Sequence, residues 1–228
     1  MATVILFDID GTLVSAGRSG RNAICAGLEA VVGRSVEPDE LPFSFAGMTD
    51  RSILRRALQA CGVAADNECI DEALEAYLQA LPGEVSRASN YRVHPGVEPL
   101  LQRLSSTDSA IGLGTGNARR GARIKLERAG LHRYFSFGGY GCESEHRAEV
   151  IARGIERGAR RLGETVSTCG AVIVGDTPAD VEAAHDNGAD CLAVATGSYS
   201  LSELEDCESR WLVESLRDDD VREVLGVV

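Results

Sequence analysis

The second half of the chain alternates between two hydrophobic patterns. Short apolar runs with the length and composition of buried strands occur at 109–114, 134–138, 171–174, 191–195 and 212–213. Between them, apolar positions at helical spacing predict helices at about 97–104, 118–129, 148–162 and 178–187. Strands that alternate with helices of this length predict an α/β fold with a parallel, doubly wound sheet, that is, a Rossmann-like core.

The first part of the chain follows a different pattern. A single buried strand is predicted at 4–7, and the residues after it are mainly helical. Apolar residues recur at helical spacing over 24–31, Thr49 is a typical N-cap for a second helix, and a third helix is predicted from about 66 to 81, ended at Pro82. This pattern predicts a helical block inserted after the first strand.

The length of 228 residues is sufficient for one large domain or for a core with a small insert. We therefore expect an α/β catalytic core formed by 1–14 and 91–228. A small α-helical cap domain is expected at 15–90, over the carboxyl edge of the sheet.

Charge and cysteine usage narrow the class of protein. The net charge of −12 argues against a nucleic-acid-binding surface. The 7 cysteines are scattered without a Cys-x-x-Cys pair, which predicts reduced thiols in a cytoplasmic protein and no zinc or disulfide framework. No apolar run is long enough to span a membrane, and we expect a monomer or a homodimer.

Two acidic residues follow the first predicted strand directly. Because side chains alternate across a strand, Asp8 and Asp10 point the same way, at the sheet edge where open α/β folds bind ligands. Neighbouring carboxylates are costly there unless a cation lies between them, so a divalent cation and an anionic substrate are expected. Asp8 has the chemistry of a nucleophile and Asp10 that of a general acid and base. An acidic surface turn is the alternative.

Two further strand ends carry polar groups. Thr115, Gly116 and Asn117 follow one strand and open a helix, where a hydroxyl and free backbone N–H groups suit a phosphate. A glycine-rich turn without a ligand is the alternative. Asp176 follows another strand, and Asp180 lies in the first turn of the next helix. Oxygen-rich clusters of this kind suit Mg²⁺.

These segments resemble the motifs of one enzyme family, the haloacid dehalogenase superfamily, and in particular its phosphatase branch. Residues 7–13 are similar to the first motif of the family, 114–117 to the second, and 175–180 to the fourth. The resemblance covers nearly the whole chain and implies a Rossmann-like core with a helical cap.

The resemblance also implies roles for individual residues. Mg²⁺ would be held by Asp8, Asp176 and the backbone carbonyl of Asp10, with Asp180 as a further ligand or as a support for the ligands. Thr115 would be the phosphate-binding hydroxyl, and the Gly116 and Asn117 that follow it are assigned to substrate binding.

The third motif of the family is altered in this chain. The family usually places a lysine before the strand of the fourth motif, and here the segment 145–149 contains Arg147 instead. We take Arg147 as the cation that steadies Asp8 and the phosphate. Lys125, the only lysine in the sequence, is the competing candidate for this cation and is assigned to substrate binding, although its helix position is typical of a solvated surface residue.

Contacts from the cap are harder to assign. Arg18, Arg21 and Arg51 lie near the expected junction of cap and core, and the segment 47–50 resembles the substrate loop of the family. Each arginine alone is typical of a solvated surface. As a group we expect one of them to contact an anionic part of the substrate, with Arg18 and Arg51 as the candidates.

The function implied by the resemblance is Mg²⁺-dependent hydrolysis of a small phosphorylated metabolite, for example a phosphoglycolate-like ester, through an aspartyl-phosphate. A carbon–halogen dehalogenase is disfavoured because such enzymes lack a catalytic acid at the position of Asp10. A sugar phosphomutase shares all four motifs but tends to carry an arginine where Asp50 stands here. A non-catalytic binding protein is the remaining alternative.

Overall fold

The computed structural model describes residues 2–226. The strands are β1 (Thr3–Phe7), β2 (Val14–Ser15), β3 (Arg92–Val93), β4 (Ala110–Thr115), β5 (Gly138–Tyr140), β6 (Gly170–Gly175), β7 (Asp190–Val194) and β8 (Trp211–Val213). The α-helices are α1 (Ser19–Val32), α2 (Asp50–Ala60), α3 (Asn67–Arg87), α4 (Val97–Leu104), α5 (Arg119–Glu127), α6 (Arg147–Leu162), α7 (Pro178–Asp186), α8 (Leu201–Glu205) and α9 (Asp219–Val224). Short 3₁₀ turns occur at Pro38–Glu40 and Leu131–Tyr134.

Six strands form one parallel sheet in the order β5-β4-β1-β6-β7-β8. The central strand β1 aligns Val4 with Ala110 of β4 on one side and with Ala171 of β6 on the other. The strand order reverses beside β1, and this switch point is where open α/β sheets bind ligands. The predicted doubly wound, Rossmann-like core is confirmed.

Strand β1 is buried on both of its faces, which explains its continuous apolar run. Ile5 and Phe7 pack into the hydrophobic cluster on one face of the sheet, and Val4 and Leu6 pack into the cluster on the other. These four side chains are 0% exposed. The strand therefore fixes the position of the acidic residues that follow it.

Helices α1, α2 and α3, called the helical block below, lie between β2 and β3 in the chain. They pack around an apolar cluster of their own, in which Leu28, Leu54 and Tyr77 are buried. The antiparallel ribbon of β2 and β3 connects the block to the core. That the block is a separate cap domain with boundaries at residues 15 and 91 stays a prediction.

Two secondary-structure predictions were wrong at their ends. Helix α3 does not end at Pro82 but continues to Arg87, because Leu81 and Val85 are buried beyond the proline and stabilise the extra turn. The strand predicted at 134–138 lies at β5 instead.

The misplaced strand has a simple cause. Residues Leu131–Tyr134 form a 3₁₀ turn, and the next ring, Phe135, packs edge-to-face on Phe7 with 6.2 Å between ring centroids. The predicted N-cap at Thr49 is confirmed, since its side chain accepts a hydrogen bond from the Ser52 N–H. Within residues 2–226, no helix combines the length and the apolar character needed to cross a membrane.

Candidate active site

Three aspartates converge at the carboxyl ends of the neighbouring strands β1 and β6. Asp8 and Asp176 follow these strands, and Asp180 lies in the first turn of α7. One carboxylate oxygen from each lies within 4.8 Å of the others. The three residues are 5%, 2% and 0% exposed, so their mutual repulsion is not relieved by solvent.

A buried arginine compensates part of this negative charge. Arg147 begins α6, and its guanidinium Nη2 lies 3.0 Å from Asp8 Oδ2 and 2.5 Å from Asp180 Oδ1. Burial raises the pKa of Asp8 to about 6, while Arg147 acts to lower that pKa. Burial alone would lower the pKa of Arg147, but Asp180 and Asp8 raise it. Arg147 is thus held as a cation between two carboxylates.

One carboxylate oxygen of the cluster has no hydrogen-bond partner among the described residues. Asp8 Oδ1 is buried and has no hydrogen-bond partner among residues 2–226. Asp176 Oδ1 accepts a hydrogen bond of 2.8 Å from the Thr12 hydroxyl, and burial together with the charges of Asp180 and Asp8 raises the Asp176 pKa. An unpartnered buried oxygen and a set of hard oxygen donors fit a divalent cation.

Asp180 is the most constrained of the three aspartates. Its Oδ2 accepts hydrogen bonds from the backbone N–H and the hydroxyl of Thr177, at 3.1 and 2.7 Å, and its Oδ1 accepts from Arg147. Because both oxygens are already engaged, Asp180 supports the site by holding Arg147 and the start of α7.

The turn after Asp10 depends on a glycine. Gly11 has φ +90°, and a side chain there would place its Cβ 2.2 Å from Asp176 Oδ2. Glycine at this position lets the first and fourth motif segments approach closely.

Asp10 belongs to a second polar cluster on the other side of the cleft. Its Oδ2 accepts hydrogen bonds from Lys125 Nζ at 2.5 Å and from Asn117 Nδ2 at 2.9 Å. Lys125 Nζ also donates to Asn117 Oδ1 at 2.6 Å, and Asn117 Nδ2 lies 2.9 Å from the hydroxyl oxygen of Thr115. Thr115, Asn117 and Lys125 are buried, whereas the Asp10 side chain is 43% exposed and faces the cleft.

The expectation that Lys125 is a solvated helix residue is wrong. Its side chain is 6% exposed and is directed into the site from α5. The inward face of α5 also carries Gly121, Ala122 and Leu126. These small or apolar residues at helical spacing around position 125 were the sequence signal that it faces inwards.

The helical block contacts the segment 116–118, between β4 and α5, directly. The Asp50 backbone N–H donates to the Gly116 carbonyl at 2.7 Å, and the Ala118 N–H donates to Asp50 Oδ2 at 2.7 Å. A side chain at Gly116 would place its Cβ 2.1 Å from the Met48 carbonyl oxygen. Asp50 therefore caps the segment that opens α5, and it also lines the cleft described below.

The pKa of Asp50 leads to a prediction about stability. Burial raises this pKa from 3.8 to about 6, although Lys125 acts to lower it. A raised pKa in the folded state means that the stability contributed by Asp50 is complete at low pH and is lost as pH rises through about 6. Asp50→Asn keeps an acceptor for the Ala118 N–H, so it should become more stable relative to the wild type by about 2 kcal/mol between pH 4 and pH 7.

Denaturant unfolding at several pH values measures this difference. The exposed Asp39 offers a matched control, and Asp39→Asn should follow the wild type at every pH. A constant difference between Asp50→Asn and the wild type across this range would contradict the prediction.

The two clusters face one cleft of about 410 Å³ between the helical block and the sheet edge. Asp8, Asp10, Gly116, Asn117, Lys125, Arg147 and Asp176 line it. The predicted substrate contacts Arg18 and Arg51 do not line the cleft. Arg18 is exposed to solvent, and Arg51 forms an ion pair with Asp71.

Arg21, one of the three arginines that the sequence places near the junction of cap and core, lines the cleft from α1. Arg92 and His94 line it from the ribbon, and the sequence analysis does not name them. The signal for Arg92 and His94 was weak, because a two-residue strand has no hydrophobic period.

Comparison with known proteins agrees with this geometry. A family model for haloacid dehalogenase-like hydrolases matches residues 2–188. No curated protein sequence matches significantly.

Solved structures share the fold at low sequence identity. A predicted phosphatase from Clostridium acetobutylicum is 20% identical, with 100% of both chains covered and a TM-score of 0.72. A predicted phosphoglycolate phosphatase from Haemophilus somnus is 18% identical, with 98% of this chain and 97% of that chain covered and a TM-score of 0.68. A beta-phosphoglucomutase from Clostridium difficile is 20% identical, with 99% and 97% covered and a TM-score of 0.69.

Proposed function

The chain belongs to the haloacid dehalogenase-like hydrolase family, and we propose that it hydrolyses a small phosphate monoester, with Asp8 as nucleophile and Mg²⁺ as cofactor. Its membership of this family and its being a hydrolase agree with the sequence-based predictions. The observation that carries the proposal is the Asp8 carboxylate, which is buried at the switch point with one oxygen on Arg147 and the other without a partner.

Asp8 is suited to attack phosphorus. The reaction needs the ionised carboxylate, and Arg147 favours that form against the effect of burial. An Asp8 oxygen forms a bond to phosphorus while the bond from phosphorus to the ester oxygen breaks, which gives an aspartyl-phosphate and an alcohol. Arg147 and the N–H groups around Gly116 would stabilise the charge on the phosphoryl oxygens.

Asp10 is placed to move the protons. Lys125 and Asn117 both donate to Oδ2, which leaves Oδ1 to carry the proton. Asp10 first protonates the leaving oxygen and then takes a proton from the water that hydrolyses the aspartyl-phosphate. The buried lysine and amide fix the orientation of the carboxyl group for both steps.

The metal ligands follow from the donor set. Asp8, Asp176 and the backbone carbonyl of Asp10 would hold Mg²⁺, and Asp180 would support them through Arg147. When bound, Mg²⁺ supplies positive charge that offsets the repulsion between the carboxylates and the phosphate. Thr115 would lie near the phosphate, with its hydroxyl oxygen accepting a hydrogen bond from the Asn117 side chain.

The alternatives differ in their products. A dehalogenase is disfavoured because such enzymes lack a catalytic acid at the position of Asp10. A phosphomutase is disfavoured because position 50 carries an aspartate whose carboxylate is engaged by the Ala118 N–H, and not an arginine directed at a second phosphate. A non-catalytic protein would release no phosphate at all. A cytoplasmic location, and a monomeric or homodimeric state, stay predictions.

Metal removal tests the proposal. With a panel of small phosphate esters and Mg²⁺, we expect release of inorganic phosphate, which chelator should reduce to background and added Mg²⁺ should restore. Without the cation, three buried carboxylates repel the phosphate. A phosphomutase would instead convert sugar phosphates without net release.

A matched pair of variants locates the metal site. Asp176→Asn should lose Mg²⁺-dependent turnover, whereas Asp186→Asn, an exposed aspartate on α7, should keep it. Calorimetric titration with Mg²⁺ gives a readout that does not depend on turnover, and binding should be lost in Asp176→Asn alone. Full activity in chelator would contradict the metal assignment.

A further inference from the structure

One cation in the cleft has no acidic partner. The guanidinium of Arg92 makes no ion pair or hydrogen bond with the rest of residues 2–226, although the side chain lines the cleft that contains Asp8. The other cleft cations are engaged. Arg147 contacts Asp8, and Lys125 contacts Asp10.

Arg21 is also held by the protein. It donates to the carbonyls of Leu41 and Phe43 at 3.0 and 2.9 Å, and its guanidinium lies 3.9 Å from the ring centroid of Phe45. These contacts brace the loop before α2. Arg92 is therefore the cleft cation among the described residues whose donors are free for a ligand.

The ribbon of β2 and β3 places two more polar groups beside Arg92. Ser15 is its direct cross-strand partner, so the two side chains lie on one face, and His94 returns to that face two residues later. All three residues line the cleft. The opposite face of the ribbon carries the Val14 and Val93 pair, of which Val14 is buried in the core.

His94 has an unpartnered polar atom at this position. The residue is 4% exposed, and its Nε2 is buried without a hydrogen-bond partner among residues 2–226. A buried polar atom without a partner destabilises the fold, so it requires a compensating role. The His94 imidazole and the Arg92 guanidinium therefore lie on the same face of the ribbon, and neither has a hydrogen-bond partner among residues 2–226.

The ribbon is a fixed platform relative to the nucleophile. The His94 N–H donates to the Leu13 carbonyl at 3.0 Å, and Asp10 forms a bridge with Val14. A group bound at Arg92 is therefore positioned by the same loop that positions Asp8 and Asp10. Such rigidity is what a specificity contact needs.

We propose that Arg92, together with Ser15 and His94, forms a subsite for a second anionic group, carried by the part of the substrate that leaves as the alcohol. The inference rests on the proposed phosphatase function and names its substrate class: small phosphate monoesters with a carboxylate or a second phosphate on the alcohol. Four aspartates line the cleft of this protein of net charge −12, and a free cation near the alcohol offsets their repulsion of such a substrate. They are Asp8, Asp10, Asp50 and Asp176. The volume of about 410 Å³ limits the class to small molecules.

Matched substrates test this subsite. Phosphoglycolate carries a carboxylate, 1,3-propanediol bisphosphate carries a second phosphate, and ethyl phosphate carries neither. We expect the wild type to prefer one or both anionic esters over ethyl phosphate, mainly through KM. The two anionic arms distinguish a carboxylate from a phosphate as the bound group.

Variants of Arg92 test whether this residue causes the preference for anionic esters. Arg92→Ala should lower kcat/KM for the preferred anionic ester by roughly 10- to 100-fold and leave ethyl phosphate within about twofold. Arg92→Lys should restore part of the loss, because charge returns without the planar fork. Arg18→Ala, at an exposed arginine outside the cleft, is the control and should change neither substrate.

His94→Phe separates binding from stability. Removal of an unpartnered nitrogen should leave the melting temperature unchanged or raise it, while the preference for the anionic ester falls. An unchanged preference would remove His94 from the subsite.

The inference and the proposed function can fail separately. Hydrolysis of all three esters at similar kcat/KM, or an equal effect of Arg92→Ala on all of them, would overturn the subsite and leave the phosphatase function intact. Absence of hydrolysis of every ester in the presence of Mg²⁺ would overturn the proposed function itself.

Discussion

Asp8→Asn is expected to abolish phosphate release while the protein stays folded. The amide has nearly the shape of the carboxylate but is not a nucleophile for phosphorus, so kcat should fall by roughly 10⁴-fold or more. The change also removes one of the three buried carboxylates and so relieves their repulsion, and the fold should therefore be retained. Phosphate release, measured together with the thermal unfolding transition, checks both parts.

A surface aspartate provides the control. Asp108 is exposed at the opposite edge of the sheet, before β4, and Asp108→Asn should retain wild-type turnover. A direct test of the nucleophile is mass spectrometry after rapid acid quench, which should locate a phosphoryl group on the peptide containing Asp8 in the wild type. Near-normal turnover of Asp8→Asn, or phosphorylation of another residue, would remove Asp8 from the mechanism.

The parts of the site that the sequence predicted are those fixed by the sheet. A continuous apolar run that ends in Asp8 is typical of a central strand of a parallel sheet, and such strands bring their carboxyl ends to one edge. For this reason Asp176 could be placed beside Asp8 although they are far apart in the chain. Thr115 followed from the same rule. For Asp8 and Asp10, the backbone period of two residues also predicts that the two side chains point the same way.

The parts that were missed depend on tertiary packing. The direction of Lys125 is set by which face of α5 meets the helical block, and the small and apolar residues beside it on α5 indicate that face only indirectly. The continuation of α3 past Pro82 reflects burial of Leu81 and Val85, which outweighs the loss of one backbone hydrogen bond. That Arg92 forms no ion pair within residues 2–226 cannot be predicted from the sequence, because it depends on where the acidic residues lie in the folded structure.

The two buried cations of the site should have different roles, and their variants should separate them. Loss of Arg147 leaves Asp8 and Asp180 as buried carboxylates without their common partner, which costs about 3–5 kcal/mol of stability as well as phosphate binding. Arg147→Ala should therefore lower both the unfolding free energy and turnover. Arg147→Lys keeps the charge without the fork that contacts both carboxylates, so a folded protein with partial activity is expected.

Lys125→Met is expected to act on catalysis through Asp10. The apolar side chain fills the space of the lysine but no longer orients the Asp10 carboxyl group, so kcat for an alkyl phosphate should fall by roughly 10²- to 10³-fold. If Lys125 were a solvated helix residue, as its sequence position indicates, the same substitution would have only a small effect on kcat. Mg²⁺ binding should be unchanged, because Lys125 contacts the Asp10 carboxylate and none of the atoms proposed to hold the metal.

The leaving group shows whether the lysine acts through the acid. An ester of p-nitrophenol departs with little need for a proton, whereas an alkyl ester depends on protonation by Asp10. We therefore expect Lys125→Met to lose far less activity on p-nitrophenyl phosphate than on ethyl phosphate. Arg147→Lys, which affects the phosphoryl group itself, should lose similar factors on both esters. Equal losses on both esters for Lys125→Met would mean that the lysine contacts the phosphate directly, and near-normal activity would mean that Asp10 needs no orienting cation.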